Sequence, residues 1–127
     1  MSLRERLDAQ LLPTSTVPMY PSRPGAGPYL VEVRALPGDE WDDLVKLHPP
    51  TEEQAARGDE WNIATFRPAL LAACVTSPDD EAQPLDAAEW ARLLTVLSVG
   101  ERDQLYAAAY DLNANRWPDA DLGKGSG

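Results

Sequence analysis

The stretch DAAEWARLLTVLSVGERDQLYAAAYDLN, residues 86–113, decides the fold class. Asp86 stands three positions before Glu89, and Ser98 three before Glu101. That is capping-box spacing, in which a short polar side chain and a carboxylate satisfy the first free amides of a helix. Behind the first cap, Trp90, Leu93, Leu94 and Leu97 fall at helical intervals; behind the second come Leu105, Ala108, Ala109 and Leu112. The second cap directly follows the end of the first helix. So short a connection predicts antiparallel neighbours or a sharply angled pair, with Ala108 and Ala109 permitting close approach.

Working upstream, SPDDEAQP (77–84) is a turn-rich acidic loop, and NIATFRPALLAACV (62–75) is a further helix. Thr65 is its expected N-cap, Pro68 its first-turn proline, and Phe66, Leu70, Ala73 and Cys74 its buried stripe. PGDEWDDLVKLH (37–48) is another helix. Asp39 and Glu40 suit the positive end of its dipole. Trp41, Leu44, Val45 and His48 share one face, and Pro49 stops the helix. HPPTEEQAARGDEWN (48–62) then reads as a helix stop followed by an acidic connector. YLVEVRAL (29–36) alternates in the manner of a strand, which must pair with another strand or lie across helices.

Residues 1–28 differ in character. SLRERLDAQLL (2–12) sets Leu3, Leu7 and Leu11 at i, i+4 and i+8, a helix too short to be stable alone. PTSTVPMYPSRPGAGP (13–28) has five prolines and two glycines and reads as an extended linker. Arg4, Arg6 and Arg23 against Glu5 and Asp8 leave this segment at +1, while the remainder carries -11. NRWPDADLGKGSG (115–127) has no periodicity. The expected architecture is mainly α: a domain of about four helices preceded by one short β-strand over 29–115. A Pro-rich arm (1–28) and a disordered tail (116–127) flank it. Trp41, Leu44, Leu70, Leu93, Leu94, Leu97, Leu105 and Leu112 are expected to be largely buried, with the last two helices packed together.

Composition sets outer bounds. At 127 residues with 43% hydrophobic content, the chain supports one core. A formal charge of -10 repels phosphates, which argues against direct nucleic-acid binding. The single cysteine, Cys74, forbids an intrachain disulfide and suits a reducing compartment. The first residues lack the apolar core of a signal peptide, and no run approaches the ~20 residues of a membrane span. A soluble, intracellular protein is expected.

Catalytic chemistry finds little support. Cys74 and His48 lie on apolar helix faces, which favours structural roles over a nucleophile–base pair. Two Cys/His residues cannot make a four-ligand zinc site. Asp79, Asp80 and Glu81 lack the spacing and glycine of a calcium loop. Gly123-Lys124 has no strand and helix around it to build a phosphate loop. No enzyme activity, metal or cofactor is expected. A binding role remains, with Trp61 in the connector and Trp117 in the tail as candidate partner contacts.

Taken together, YLVEVRALPGDEWDDLVKLHPPTEEQAARGDEWNIATFRPALLAACV and EWARLLTVLSVGERDQLYAAAYDLN resemble a tail assembly chaperone of long-tailed phages. The likeness covers about Tyr29 to Asn113 and rests on the order "W..L...HPP", "WN..TF.PAL.AAC" and "W..L...L..GE...L...A..LN". It implies a non-enzymatic, mainly helical, self-associating factor in the host cytoplasm, absent from the mature virion. Such factors coat the tape measure protein, keep it soluble and help recruit the major tail tube protein. The family also makes a longer product by programmed frameshifting. Gly123-Lys124, an adjacent pair that a slippery heptamer would encode, marks the expected position of the slip. An acidic mimic of nucleic acid that acts as an inhibitor, or another small phage adaptor protein, is the alternative reading, although mimicry calls for carboxylates spaced like phosphates rather than gathered at helix starts.

Overall fold

The computed structural model describes residues 2–9, 12–20, 25, 27–77 and 83–114. Along the chain run α1 (Leu3–Ala9), β1 (Thr14–Met19), β2 (Tyr29–Arg34), α2 (Gly38–Lys46), α3 (Glu52–Ala56), α4 (Ile63–Cys74), β3 (Val75–Thr76), α5 (Ala87–Val96) and α6 (Val99–Asn113). The fold leans to α, as expected, but it is built on a sheet.

The strand at 29–34 does find partners, and they come from its own chain. The sheet is antiparallel in the order β1-β2-β3, with Val17 opposite Val31 and Val33 opposite Val75. This corrects the reading of 13–28 as linker, because Thr14–Met19 is a strand. Its prolines concealed it. The amide of Ala35 donates to the Pro13 carbonyl at 2.9 Å, which turns the backbone groups of Pro13, Ser15, Val17 and Met19 toward β2. Pro18 therefore faces the open edge, where a missing N–H breaks no ladder bond. One face of the sheet, with Val17, Val31, Val33 and Val75, is buried; Thr14, Thr16, Glu32 and Arg34 lie on the exposed face.

Six helices, rather than about four, occur among the described residues. α3 lies inside the expected connector. Thr51 Oγ1 accepts from the Gln54 amide at 3.1 Å, and Gln54 Oε1 accepts from the Thr51 amide at 2.9 Å. That is a complete capping box. Gly58, at φ +90°, ends the helix. The amide of Asp59 donates to the Gln54 carbonyl and that of Gly58 to the Ala55 carbonyl, both at 3.0 Å, as in a Schellman motif.

α4 begins earlier than expected. Asn62, not Thr65, is its N-cap, its side chain accepting from the Ala64 amide at 3.2 Å. Pro68 is then the sixth helical residue, beyond the first turn, and the Ala64 carbonyl loses the amide that any other residue at 68 would supply. Leu71 is buried in the stripe and Ala73 is exposed, the reverse of the expectation.

Phe66, Leu70, Leu71 and Cys74 of α4 meet the sheet valines, Trp90, Leu105 and Ala109 in one core. α5 and α6 both pack on α4 rather than extensively on each other. Leu97 and Ser98, at the junction, are both extended (ψ 153° and 157°), and this splays the pair. Their capping boxes at Asp86/Glu89 and Ser98/Glu101 form as expected. Of the eight side chains expected to be largely buried, Leu70 and Leu105 are fully so. Trp41, Leu44, Leu93, Leu94, Leu97 and Leu112 are partly exposed against the core. For Leu93 and Leu97 the reason is an open groove.

Candidate functional site

The splay between α5 and α6 leaves the end of the sheet where β1 finishes and β2 begins without a full cover. An apolar groove of about 580 Å³ lies there. Met19, Tyr29, Val31 and Val75 line it from the sheet, and Trp90, Leu93, Val96 and Leu97 from α5. Val31, Val75 and Trp90 are buried and form its depth; Tyr20 and Val96, 77% and 75% exposed, stand at the rim. Its volume falls within the range of small-ligand and side-chain binding clefts.

Polar groups in the groove are few and already engaged. The Tyr29 hydroxyl and Ser77 Oγ hydrogen-bond at 2.7 Å. On the rim, Glu101 Oε2 accepts from the Tyr20 amide at 3.1 Å while its other oxygen accepts from the Ser98 amide at 3.3 Å. The Tyr20 amide, followed by Ser98, holds the Glu101 carboxyl below its ordinary value of 4.5. One carboxylate thus caps α6 and fastens the end of β1 to it. The groove offers aliphatic and aromatic surface with fixed edges, which suits the apolar stripe of a helix better than a charged or polar ligand.

The residues singled out from sequence lie elsewhere. Trp61 is half-buried, its ring centroid 4.8 Å from Phe66 and 5.9 Å, edge-on, from Trp41. It belongs to an aromatic cluster with Tyr110 and shares no residue with the groove lining. Trp117, Gly123 and Lys124 lie outside the described residues.

His48 Nδ1 hydrogen-bonds Thr65 Oγ1 at 2.9 Å, and its ring stands edge-on to Phe66 at 6.0 Å. Cys74, nine residues beyond Thr65 on α4, is about 13 Å further along the helix. The two are not brought together. Burial pushes the Cys74 thiol up to about 11, partly offset by the Asn113 amide 3.6 Å away. It is therefore un-ionised at neutral pH and poorly nucleophilic. No group of three or more metal-ligating side chains occurs among the described residues. No described helix is long and apolar enough to cross a membrane.

The groove was not legible from sequence because its sheet wall needs β1 and β3. Inward-facing Ser15, Val17 and Met19 carried the signal, beneath a proline-rich composition. Compared with known proteins, the chain matches no family model, no curated protein and no solved structure.

Proposed function

We propose that this protein is a tail assembly chaperone of the long-tailed-phage type, which holds apolar helical segments of its client in the groove between the sheet and α5. The groove is the observation that carries the reading. It presents a fixed apolar surface, about 580 Å³ in volume, on a chain whose net charge is -10. An apolar contact flanked by strong like charge binds a hydrophobic helix and keeps the complex dispersed. The sequence likeness over residues 29–113 names the client as the tape measure protein.

On this reading the chain works in the host cytoplasm, without cofactor or catalysis. It helps bring major tail tube subunits to the coated tape measure protein and leaves before the virion matures. A longer frameshifted form of the same chain binds alongside it. The mimic reading is less well supported, because Asp86, Glu89 and Glu101 are occupied in helix caps.

Co-expression provides the test. Tape measure protein should become soluble when this chain is present, and the gain should be lost with Val96→Asp, which places a charge on an exposed groove residue. Equal solubility with and without the chain would overturn the proposal.

A further inference from the structure

We infer that in the free protein two copies close each other's grooves: each lays Leu3 and Leu7 of α1 into the groove of the other, with the two β1 edges paired antiparallel. Three features that the fold leaves unexplained meet in this arrangement.

The first is α1. It carries its own cap, with Ser2 Oγ accepting from the Glu5 amide at 3.1 Å and Glu5 Oε1 accepting from the Ser2 amide at 2.8 Å. Yet none of its residues is buried. Leu3 and Leu7, one turn apart on one face, are 90% and 70% exposed. A seven-residue helix does not hold itself together in water. Its apolar face calls for a surface that the described residues of its own chain do not supply.

The second feature is the edge of β1. The bond from Ala35 to Pro13 fixes which backbone groups face β2, so the amides of Thr14 and Thr16 and the carbonyl of Pro18 point to the open side. Two such edges paired about Thr16 let both Thr16 residues exchange hydrogen bonds, and each Thr14 amide meets the Pro18 carbonyl of the other copy. Pro18, which would spoil a register that needed its donor, is used there only as an acceptor.

Direction supplies the third. β1 spans about 17 Å from Thr14 to Met19, and the groove opens at the Met19 end. The chain's own α1 departs from the far end. Antiparallel pairing brings the Thr14 end of the second copy beside Met19 and Tyr20, so that its α1 arrives at the groove mouth. Residues 10–13 give it a reach of about 14 Å. Charge does not oppose the docking, since Arg4 and Arg6 balance Glu5 and Asp8 in the segment that crosses over, and the net -10 lies on the rest of the chain.

The full chain without any client tests this. Sedimentation equilibrium should show a dimer at micromolar concentration. The double variant Leu3→Asp/Leu7→Asp should weaken association by about tenfold or more, roughly 1.4 kcal/mol or above, with circular dichroism losing no more helix than the seven residues of α1. Mixing Leu7→Cys chains with Val96→Cys chains should yield a disulfide-linked heterodimer. Any of three results overturns the inference: a monomer throughout, a dimer indifferent to the leucine substitutions, or a dimer lacking the cross-link. A doubly substituted chain that closes the Leu7→Cys/Val96→Cys bridge within itself while monomeric also overturns it, because the arm then folds back on its own groove. The tape measure protein is absent from every arm, so failure here is separate from failure of the chaperone reading.

Discussion

Asn113 joins three elements through one amide. Its Oδ1 accepts from the Leu36 amide just beyond β2 at 2.7 Å. Its Nδ2 donates to the Ala109 carbonyl at 2.8 Å and reaches Cys74 Sγ at the end of α4. Asn113→Ala leaves a part-buried backbone donor without its partner, and urea melts should show a loss of about 1–3 kcal/mol. A loss under about half a kcal/mol, the usual range of an unconstrained surface change, would mean that water replaces the amide. Nothing in the sequence distinguishes this asparagine from a helix-ending residue, because its role depends on where Leu36 and Cys74 arrive in space. Local pairs were more legible: the Asp86/Glu89 and Ser98/Glu101 boxes could be read directly, since both partners lie within one turn. The same spacing at Thr51 and Gln54 is masked by the two prolines and four carboxylates around it.

At the level of elements, periodicity located α2, α4, α5, α6 and β2, whose apolar stripes are long enough to stand out. It failed where an element is short or rich in proline. β1 carries its message only in the alternation of Ser15, Val17 and Met19, and whether a proline is tolerable depends on which side of the strand it faces. α3 is five residues long and has no buried side chain. Its stability rests on its two ends, which makes it sensitive at Gly58. Space for a Cβ exists there, since nothing lies within 4 Å, but the backbone is left-handed at φ +90°. Gly58→Ala should therefore cost about 1–2 kcal/mol through conformation alone. It should also weaken amide protection at Gly58 and Asp59 in hydrogen exchange. An unchanged melt and unchanged protection would show that the turn adopts another geometry. The angle between α5 and α6 belongs to this scale too. The adjacency of Leu97 and Ser98 allowed two arrangements, and packing of both helices on α4 selects the splayed one.

At the scale of the whole molecule, the described elements cover one end of the sheet and leave the other open. The end beneath α4 and α6 is closed and the end beside α5 is open. Val31, Val75 and Trp90 give the open end a floor, while Leu93, Val96 and Leu97 are its wall. Their exposure has a counterpart in the exposed leucines of α1, and the negative surface gives the molecule a means of keeping an apolar complex in solution. The central claim is that this groove takes the client helix. Hydrogen exchange on the Leu3→Asp/Leu7→Asp chain, whose groove no second copy's α1 fills, with and without soluble tape measure segments bound, tests it most directly. The account predicts added protection in α5 and around Met19–Tyr20, with little change at the Trp41–Trp61 cluster. Protection confined to that cluster, or none at α5, would contradict it.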